Sequence, residues 1–363
     1  MDHVMDMFAV LEDPRAANTQ YDLMEILMIA LCAVLCGATS CAEMALFGRS
    51  RADDLRQFLK LPHGIPSHDT FSKVFRHLDP QKFEEIFSVF MKRFNEALTD
   101  QKIISIDGKA LRRAYEKGRS CAPQMMVTAW GSEMRMVLGC HAARDGNEAK
   151  AALELLEMVD LKGAIVTADA LHCNRDMAKS LVEKGADYVL AIKGNQAALL
   201  QEAENLFGAK PRKPYAETAA VAHGRREKRR AMVIEDAALA DRLGFKGLCA
   251  IGRIASQRTI DGKREEAVRY YALSRPLEPA ALLHVVRAHW DIENGQHWIL
   301  DVVLDEDLCR NRKDHGARNL AVLRRLALNI LRAEPSKVSL RGKTKQAAWG
   351  DCSFLFNLLS YMR

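Results

Sequence analysis

Apolar residues recur at helical spacing through the first quarter of the chain. Gly64 and Pro66 interrupt this pattern, and Ser67 or Asp69 can cap the helix that begins after them. The helical segments predicted from the spacing are residues 21–46, 53–59, 71–78 and 83–98. We therefore predict a small helical domain over residues 1–98.

The hydrophobic period changes at residue 102, where compact β-branched residues replace the helical spacing. Ile103, Ile104 and Ile106 predict a strand that stops at Asp107 and Gly108. Further strands are predicted at residues 125–130, 135–141, 163–168 and 188–192, with helices at residues 148–159 and 175–184. Strands that alternate with helices in this way predict a mixed α/β sheet.

The regularity changes again over residues 206–274, which hold a basic run and short alternating segments at residues 231–234 and 268–273. We predict a β-rich insertion there. A long helix is predicted to start at Pro279 and to run through Trp290, Glu293 and Trp298. The rest is predicted to be helical, so that the α/β domain spans residues 99–335 and a helical tail spans residues 336–363.

Composition limits the partners and the compartment of the protein. The net charge of +6 permits a polyanionic partner but does not require one. The most apolar stretch, residues 26–38, has 13 residues, whereas a helix that spans a bilayer needs about 20, so we predict a buried helix and no membrane partner. The nine cysteines form no CxxC pair and no apolar leader precedes them, which indicates reduced thiols and a cytoplasmic protein.

Two aspartates follow short apolar strands. Asp107 ends the segment Ile-Ile-Ser-Ile-Asp, and Asp169 ends Ile-Val-Thr-Ala-Asp. Either residue alone is better explained as a turn or a helix cap, because Asp serves both roles. The pair is more informative, since ligands bind at the carboxyl ends of strands in open α/β sheets and two converging carboxylates repel unless a divalent cation lies between them.

A third acidic residue is expected in the second half of the chain. Glu293 shares a helix face with His289, His297 and Trp290. This row could suggest zinc, but the HExxH pattern of metalloprotease helices is absent. We therefore favour histidines that are hydrogen-bonded to a helix neighbour or the backbone. The other acidic candidates are Asp291, Asp301, Asp305, Glu306, Asp307 and Asp314.

Several motifs occur in the order of one known family. The N-terminal part contains DPR at residues 13–15, FG at residues 47–48 and GIPSHDTF at residues 64–71. The later part contains DGK at residues 107–109, DA at residues 169–170, GADYVLAIKGNQ at residues 185–196 and HWDIEN at residues 289–294. The chain resembles insertion-sequence DDE transposases, specifically the subfamily that includes the H-repeat-associated proteins, over nearly its whole length.

The resemblance implies a fold, a site and a reaction. It implies a ribonuclease-H-like catalytic core of mixed sheet with the β-rich insertion, preceded by the helical domain. Asp107, Asp169 and Glu293 take the positions of the catalytic acids and of the ligands to two Mg²⁺ or Mn²⁺ ions. The implied reaction is metal-dependent cleavage of DNA at the ends of the element and strand transfer into target DNA. The implied partners are double-stranded DNA, namely terminal repeats and target, and a second copy of the chain in the DNA complex, acting at the nucleoid.

Basic residues are the candidates for phosphate contacts. The superfamily carries Tyr, Arg and Lys at positions that are Val286, His289 and Leu300 here, so Arg287 and His297 are expected to replace those contacts only in part. The residues that we predict to bind DNA are Lys109, Lys193, Arg225, Arg226, Lys228, Arg229, Arg230, Arg287, His289 and His297.

Two alternatives remain open at the level of sequence. A nuclease of the same fold would cut strands without joining them. A DNA-binding protein descended from a transposase would have lost catalysis, although the presence of all three acidic residues weighs against this reading.

Overall fold

The computed structural model describes residues 1–16, 19–95, 102–113, 123–208, 215–222, 225–260 and 263–362. Six helices form the N-terminal part: α1 (Asp2–Ala9), α2 (Leu23–Leu35), α3 (Cys41–Ser50), α4 (Ala52–Leu55), α5 (His68–His77) and α6 (Pro80–Asn95). Helix α1 precedes the predicted helical pattern. The predicted cap of α5 is Ser67, whose side chain accepts a hydrogen bond from the backbone N–H of Thr70.

The apolar helix α2 is buried along almost its whole length, as predicted. Neighbouring helices cover it on every side, so it has no polar face. Among the described residues, no helix is both long and apolar enough to cross a membrane.

The α/β core is a mixed sheet with the strand order β3-β2-β1-β4-β5. Strands β1 and β2 are antiparallel, as are β2 and β3, whereas β4 is parallel to both β1 and β5. Its elements are β1 (Ile103–Ala110), β2 (Met125–Gly131), β3 (Met136–Ala142), α7 (Glu148–Met158), β4 (Ile165–Ala168), α8 (Arg175–Glu183), β5 (Asp187–Ile192) and α9 (Ala197–Phe207). This arrangement confirms the predicted ribonuclease-H-like α/β fold.

The predicted insertion is β-rich, and it extends the same sheet to nine strands. Its strand β9 pairs with β5, and β8, β7 and β6 follow in antiparallel order. The insertion elements are β6 (Ala216–Ala222), β7 (Arg225–Glu235), α10 (Leu239–Leu243), β8 (Ala250–Ile260) and β9 (Lys263–Leu273). The first residues assigned to it, 206 and 207, instead complete helix α9.

The predicted long helix from Pro279 is interrupted. It comprises α11 (Pro279–His289), a π-helical turn (Glu293–His297) and α12 (Trp298–Val302). Three further helices follow: α13 (Gly316–Ala333), α14 (Leu340–Trp349) and α15 (Cys352–Ser360). These last helices share one hydrophobic core with α1–α6, so both ends of the chain build the helical part of the molecule.

The two faces of the sheet have different neighbours. Side chains alternate along a strand, and Ile104 and Ile106 lie in the core that contains α7 and α8. Ile103 lies in the core on the other face, with residues of α11. Ser105 and Asp107 share the parity of Ile103, and Asp107 therefore points to the same side as α11.

Candidate active site

The parallel pairing of β1 and β4 places Asp107 and Asp169 next to one another. Ile106 is paired with Ala168, and the two aspartates are the next residues of their chains. Asp169 caps the turn after β4, where its Oδ1 accepts a hydrogen bond of 2.9 Å from the N–H of Leu171. Asp107 lies inside β1, which continues to Ala110 and does not stop at Asp107 and Gly108 as the sequence pattern predicts.

The π-helical turn delivers Glu293 to the same place. Gly295 lies in this turn against the buried Trp130, and a Cβ at this position would be 2.8 Å from the indole ring. The carbonyl oxygen of Gly295 accepts a hydrogen bond of 2.6 Å from Arg332. These contacts hold the turn against the sheet, and π-helical turns of this kind often occur at functional sites.

The three acidic residues line one cavity of about 210 Å³. The same cavity is lined by Lys193, His289, Trp290 and Arg269. The predicted acidic residues therefore converge, although Asp169 and Glu293 are separated by more than 120 residues of chain. Asn195, two residues after Lys193, donates a hydrogen bond of 2.6 Å to the carbonyl oxygen of Ala170 and so joins the turn after β5 to the turn after Asp169.

The electrostatics of the cavity favour a cation. Burial raises the pKa of Asp107 to about 6, and the nearby Glu293 carboxylate adds to this effect, while His297 acts against it. A hydrogen bond from His297 lowers the pKa of Glu293. One ligand atom from each of Asp107, Glu293 and His297 lies within 4.8 Å of the other two, so this group fits a divalent metal ion.

His297 lies between two carboxylates rather than on the surface. Its Nδ1 is 3.3 Å from Oε2 of Glu293 and 3.8 Å from Oδ2 of Asp107, and the residue is only 8% exposed. The hydrogen bond to Glu293 is the helix-neighbour contact expected from the sequence. In this position the ring faces the acidic residues, not a DNA backbone.

A chain of hydroxyl groups holds His289 at the cavity. Ser132 donates to the carbonyl oxygen of Ala288 (3.2 Å), Ser105 lies 3.3 Å from Ser132, and Thr167 donates to Ser105 (3.1 Å). Each hydroxyl has one proton, so Ser105 must donate to Ser132 and Thr167 has none left for the imidazole. The Nδ1 of His289, 3.0 Å from Thr167, is therefore the donor, and its Nε2 is unprotonated. Burial lowers the pKa of His289 to about 4, so the ring is neutral at pH 7.

Sequence reasoning missed Ser105 and Thr167. Each lies two residues before one of the aspartates, in the segments Ile-Ser-Ile-Asp and Val-Thr-Ala-Asp. A hydroxyl within each short apolar strand, at the same offset from Asp, is a signal that could have identified them. Both are almost fully buried, and buried polar groups need partners.

Comparison with known proteins assigns this architecture. The family model described as the Transposase DDE domain matches residues 98–330, and the model of its associated domain matches residues 5–91. The chain belongs to the DDE transposase family. Members of this family use divalent metal ions. In this chain, Asp107, Glu293 and His297 form a group that could hold such an ion.

Individual relatives cover nearly the whole chain. YncI of Escherichia coli O157:H7, named as a transposase, is 33% identical over 362 residues, which is 96% of this chain and 92% of that protein. The H repeat-associated protein YhhI of Escherichia coli K12 is 33% identical over 98% of this chain and 97% of that protein. A piggyBac transposase in a synaptic complex with hairpin DNA aligns over 99% of this chain and 80% of that chain, with 13% identity and a TM-score of 0.47.

Lys109 of this DDE transposase family member lies in a buried ionic cluster. Its Nζ is 2.6 Å from Asp301, 3.2 Å from Glu306 and 3.2 Å from Asp307, and its side chain is 7% exposed. Burial acts to lower the pKa of Lys109, but the surrounding carboxylates raise it. Since its charge is already neutralised by these carboxylates, Lys109 is buried away from the phosphate contacts that the sequence predicts for it.

The remaining acidic candidates lie outside the cavity. Asp291 pairs with Arg135 at 3.4 Å, and Asp314 pairs with Arg76 at 2.7 Å. Asp305 has a positive φ of 49° at the start of a short 3₁₀ turn. Glu293 is thus the candidate that reaches the two aspartates.

Strand geometry divides the basic run of the insertion between two faces. Arg229 lies on the face of α11 and Trp290, with Arg258 and Arg269 on neighbouring strands and Arg287 on α11. Lys228 and Arg230 lie on the opposite face, where both pair with Glu217 at 2.8 and 3.0 Å. Arg226 has the parity of Lys228 and Arg230. Arg225 belongs to β7, but its side chain lies outside the described part of the structure.

Proposed function

We propose that the protein is a DNA transposase that cleaves phosphodiester bonds at the ends of an insertion sequence and transfers the strands into target DNA. The observation that carries this proposal is the convergence of Asp107, Asp169 and Glu293 in one cavity. The partners are terminal-repeat and target DNA and, in the DNA complex, a second copy of the chain. The protein would act at the nucleoid.

The acidic residues would hold two Mg²⁺ or Mn²⁺ ions. When bound, such ions supply a nucleophile from water or a DNA 3′-hydroxyl and stabilise the leaving oxygen. Asp107 lies next to Asp169 on the neighbouring strand and close to Glu293 on the π-helical turn, so these three carboxylates would together hold the ions. The Asp107 pKa of about 6 means that binding of cations releases a proton from part of the population at mildly acidic pH.

The cationic side chains around the cavity would position the DNA backbone. Lys193 and Arg269 line the cavity itself. Arg269 also lies over the ring of Trp290, with its guanidinium carbon 5.5 Å from the ring centre. A second depression, lined by Arg229, Arg258 and Arg287, shares Arg269 and Trp290 with the cavity and continues it along the insertion. A DNA strand that leaves the acidic residues along this path would meet Arg269 and Arg287, and then Arg229 and Arg258 beside the Glu227 carboxylate that they share.

The decisive experiment uses the full-length protein with the DNA that flanks its own gene. Incubation with Mg²⁺ or Mn²⁺ should give cuts at the element ends and strands joined to target DNA, and a chelator should abolish both. Ca²⁺ should allow binding with little turnover. Cuts without joined products would identify a nuclease, and binding without metal-dependent nicking would identify a DNA-binding protein that has lost catalysis.

The division of basic residues predicts which face of the insertion binds DNA. Replacement of Arg229, Arg269 and Arg287 by Ala should weaken binding to all duplex sequences alike. The slope of log K against log salt should fall by about 0.9 for each phosphate contact that is lost. Binding titrations at several salt concentrations measure both quantities.

A triple variant on the opposite face is the matched control, because it removes the same charge. Replacement of Arg226, Lys228 and Arg230 by Ala should change affinity less, because Lys228 and Arg230 line a separate depression on the opposite face, away from the acidic residues. Equal losses in the two triple variants would contradict the assignment of the DNA path to the α11 face. A loss confined to one DNA sequence would mean that these arginines read bases.

A further inference from the structure

Two carboxylates and an imidazole meet at the turn that carries Glu293. The Nδ1 of His297 is 3.3 Å from Glu293 Oε2 and 3.8 Å from Asp107 Oδ2. Donor atoms that share one cation through bonds of about 2.1 Å lie no more than about 4.2 Å apart, which is twice the bond length. Both distances fall within this limit, and the Asp107 and Glu293 oxygens lie within 4.8 Å of one another, so a small movement of the carboxylates lets the three donors surround one ion.

We propose that His297 Nδ1 is a ligand of the ion held by Asp107 and Glu293, so that this site binds its metal through nitrogen as well as oxygen. The inference rests on the proposed function in one respect, namely that the ion is the one used in strand cleavage. Imidazole is a softer ligand than carboxylate or water, and affinity for such sites rises along the first transition series. The site therefore prefers Co²⁺ to Mn²⁺ and Mn²⁺ to Mg²⁺.

The surroundings of His297 hold the ring in the position of a ligand. The residue is 8% exposed, and Gly295 within the same turn is fixed between Trp130 and Arg332. Within the described residues, Nε2 of His297 is buried without a hydrogen-bond partner. The polar contacts of the ring are thus made by Nδ1 with the two carboxylates. A shared cation would take the place of the proton in the hydrogen bond to Glu293, and the neutral ring would then carry its proton on Nε2.

His289, the second imidazole at the cavity, is not placed to bind the same ion. His289 uses Nδ1 as a donor to Thr167. Among the described residues, its nitrogens do not belong to the compact group formed by Asp107, Glu293 and His297. The structure therefore singles out His297 as the nitrogen ligand of that ion.

The test is pulsed electron paramagnetic resonance of Mn²⁺ bound to the full-length protein. Coupling of Mn²⁺ to ¹⁴N should be observed, and labelling of histidine with ¹⁵N should replace it with the ¹⁵N pattern. The coupling should vanish in His297→Asn and in His297→Gln, whose side-chain amide can still donate to Glu293. His284→Asn, an exposed position on α11, is the matched control and should retain the coupling.

Metal affinities provide a second measurement on the same proteins. Calorimetric titration should show that His297→Gln loses at least about 10-fold in affinity for Mn²⁺ and more for Co²⁺, with a smaller loss for Mg²⁺. The ratio of the affinities for Mn²⁺ and Co²⁺ to the affinity for Mg²⁺ should therefore be smaller in His297→Gln than in the wild type. An unchanged order and spacing of the three affinities in His297→Gln would overturn the inference.

The outcomes separate this inference from the proposed function. Absence of histidine coupling in the wild type, or its persistence in both His297 variants, overturns the assignment of His297 even if metal-dependent cleavage and joining are intact. Histidine coupling that depends on His297 supports the assignment even if no strand is cut. In that case only the proposed transposase activity is contradicted, and the assignment of His297 stands.

Discussion

Asp107→Asn, Asp169→Asn and Glu293→Gln should each reduce DNA strand cleavage by at least about 1,000-fold, which corresponds to about 4 kcal/mol of transition-state stabilisation. Each change removes one negative charge with almost no change in shape, and the three side chains line the same cavity. Affinity for terminal-repeat DNA should stay nearly the same. Cleavage rates under single-turnover conditions in Mg²⁺ measure the effect, and a rate near that of the wild type in any variant would remove that residue from the site.

Stability measurements separate loss of chemistry from loss of fold. Burial raises the pKa of Asp107 from its usual 3.8 to about 6, so the folded state binds this proton more tightly than the unfolded state. The contribution of Asp107 to the stability of the metal-free wild type therefore falls as pH rises from about 4 to 6, by up to about 3 kcal/mol. Asp107→Asn has no such penalty, so it should be the more stable protein at pH 7 without metal.

The difference in stability between Asp107→Asn and the wild type should depend on pH and on bound metal. Below about pH 4 the carboxyl group is neutral in both states, and the advantage of Asp107→Asn should disappear. Saturating Mn²⁺ should stabilise the wild type more than Asp107→Asn, because only the wild type keeps all its ligands. Denaturant titrations at pH 4 and pH 7 provide the comparison, and an Asp107→Asn protein less stable than the wild type at pH 7 without metal would contradict the assigned burial penalty.

Glu84→Gln should destabilise the protein by about 3–5 kcal/mol, because it leaves the buried cation Arg318 without its partner. Glu84 on α6 is fully buried, and both of its oxygens lie 2.5 Å from the guanidinium of Arg318 on α13. His141 on β3 lies 2.7 Å from the same carboxylate. The cluster therefore links the N-terminal helices, the C-terminal helices and the sheet.

The neighbouring residue supplies the control. Glu85 on the same helix pairs with Lys82 at 3.0 Å on the surface, and Glu85→Gln should cost no more than about 1 kcal/mol. The double variant Glu84→Leu with Arg318→Met should lose much less than the sum of the two single variants, since both charges are removed together. Similar losses in the free energy of unfolding for Glu84→Gln and Glu85→Gln in urea titrations would show that the buried cluster stabilises the protein no more than a surface ion pair does.

The sequence identifies the elements of the core because their patterns are local. Short β-branched segments predict β1 and β4, and the Asp residues that follow them mark the sheet edge where a ligand binds. The helical period from Pro279 predicts that Glu293 shares a face with His289 and His297, although it does not predict the break between α11 and the π-helical turn. That break depends on Gly295 meeting Trp130, a contact between residues 165 positions apart (295 − 130).

The basic run at residues 225–230 forms a strand that the sequence pattern does not reveal. Dense charge in residues 225–230 masks the alternation that would identify a strand, so the run reads as one cationic patch. Once these residues form β7, successive side chains must point to opposite faces, and Arg229 is separated from Lys228 and Arg230. The same alternation places Lys109 on the face of Asp107, where Asp301, Glu306 and Asp307 enclose it.

The amino-acid sequence by itself determined most of the helical and strand segments, the mixed sheet with its β-rich insertion, and the identity of three acidic residues that could meet. Hydrophobic period and short motifs encode these features within a few turns or strands of chain. Only the tertiary structure decided that His297 faces two carboxylates, that Ser105 and Thr167 orient His289, and that the C-terminal helices complete the N-terminal domain. Those arrangements depend on packing and charge pairing between distant segments, as between Glu84 and Arg318, and the physical cost of leaving a buried charge or hydroxyl unpaired selects them.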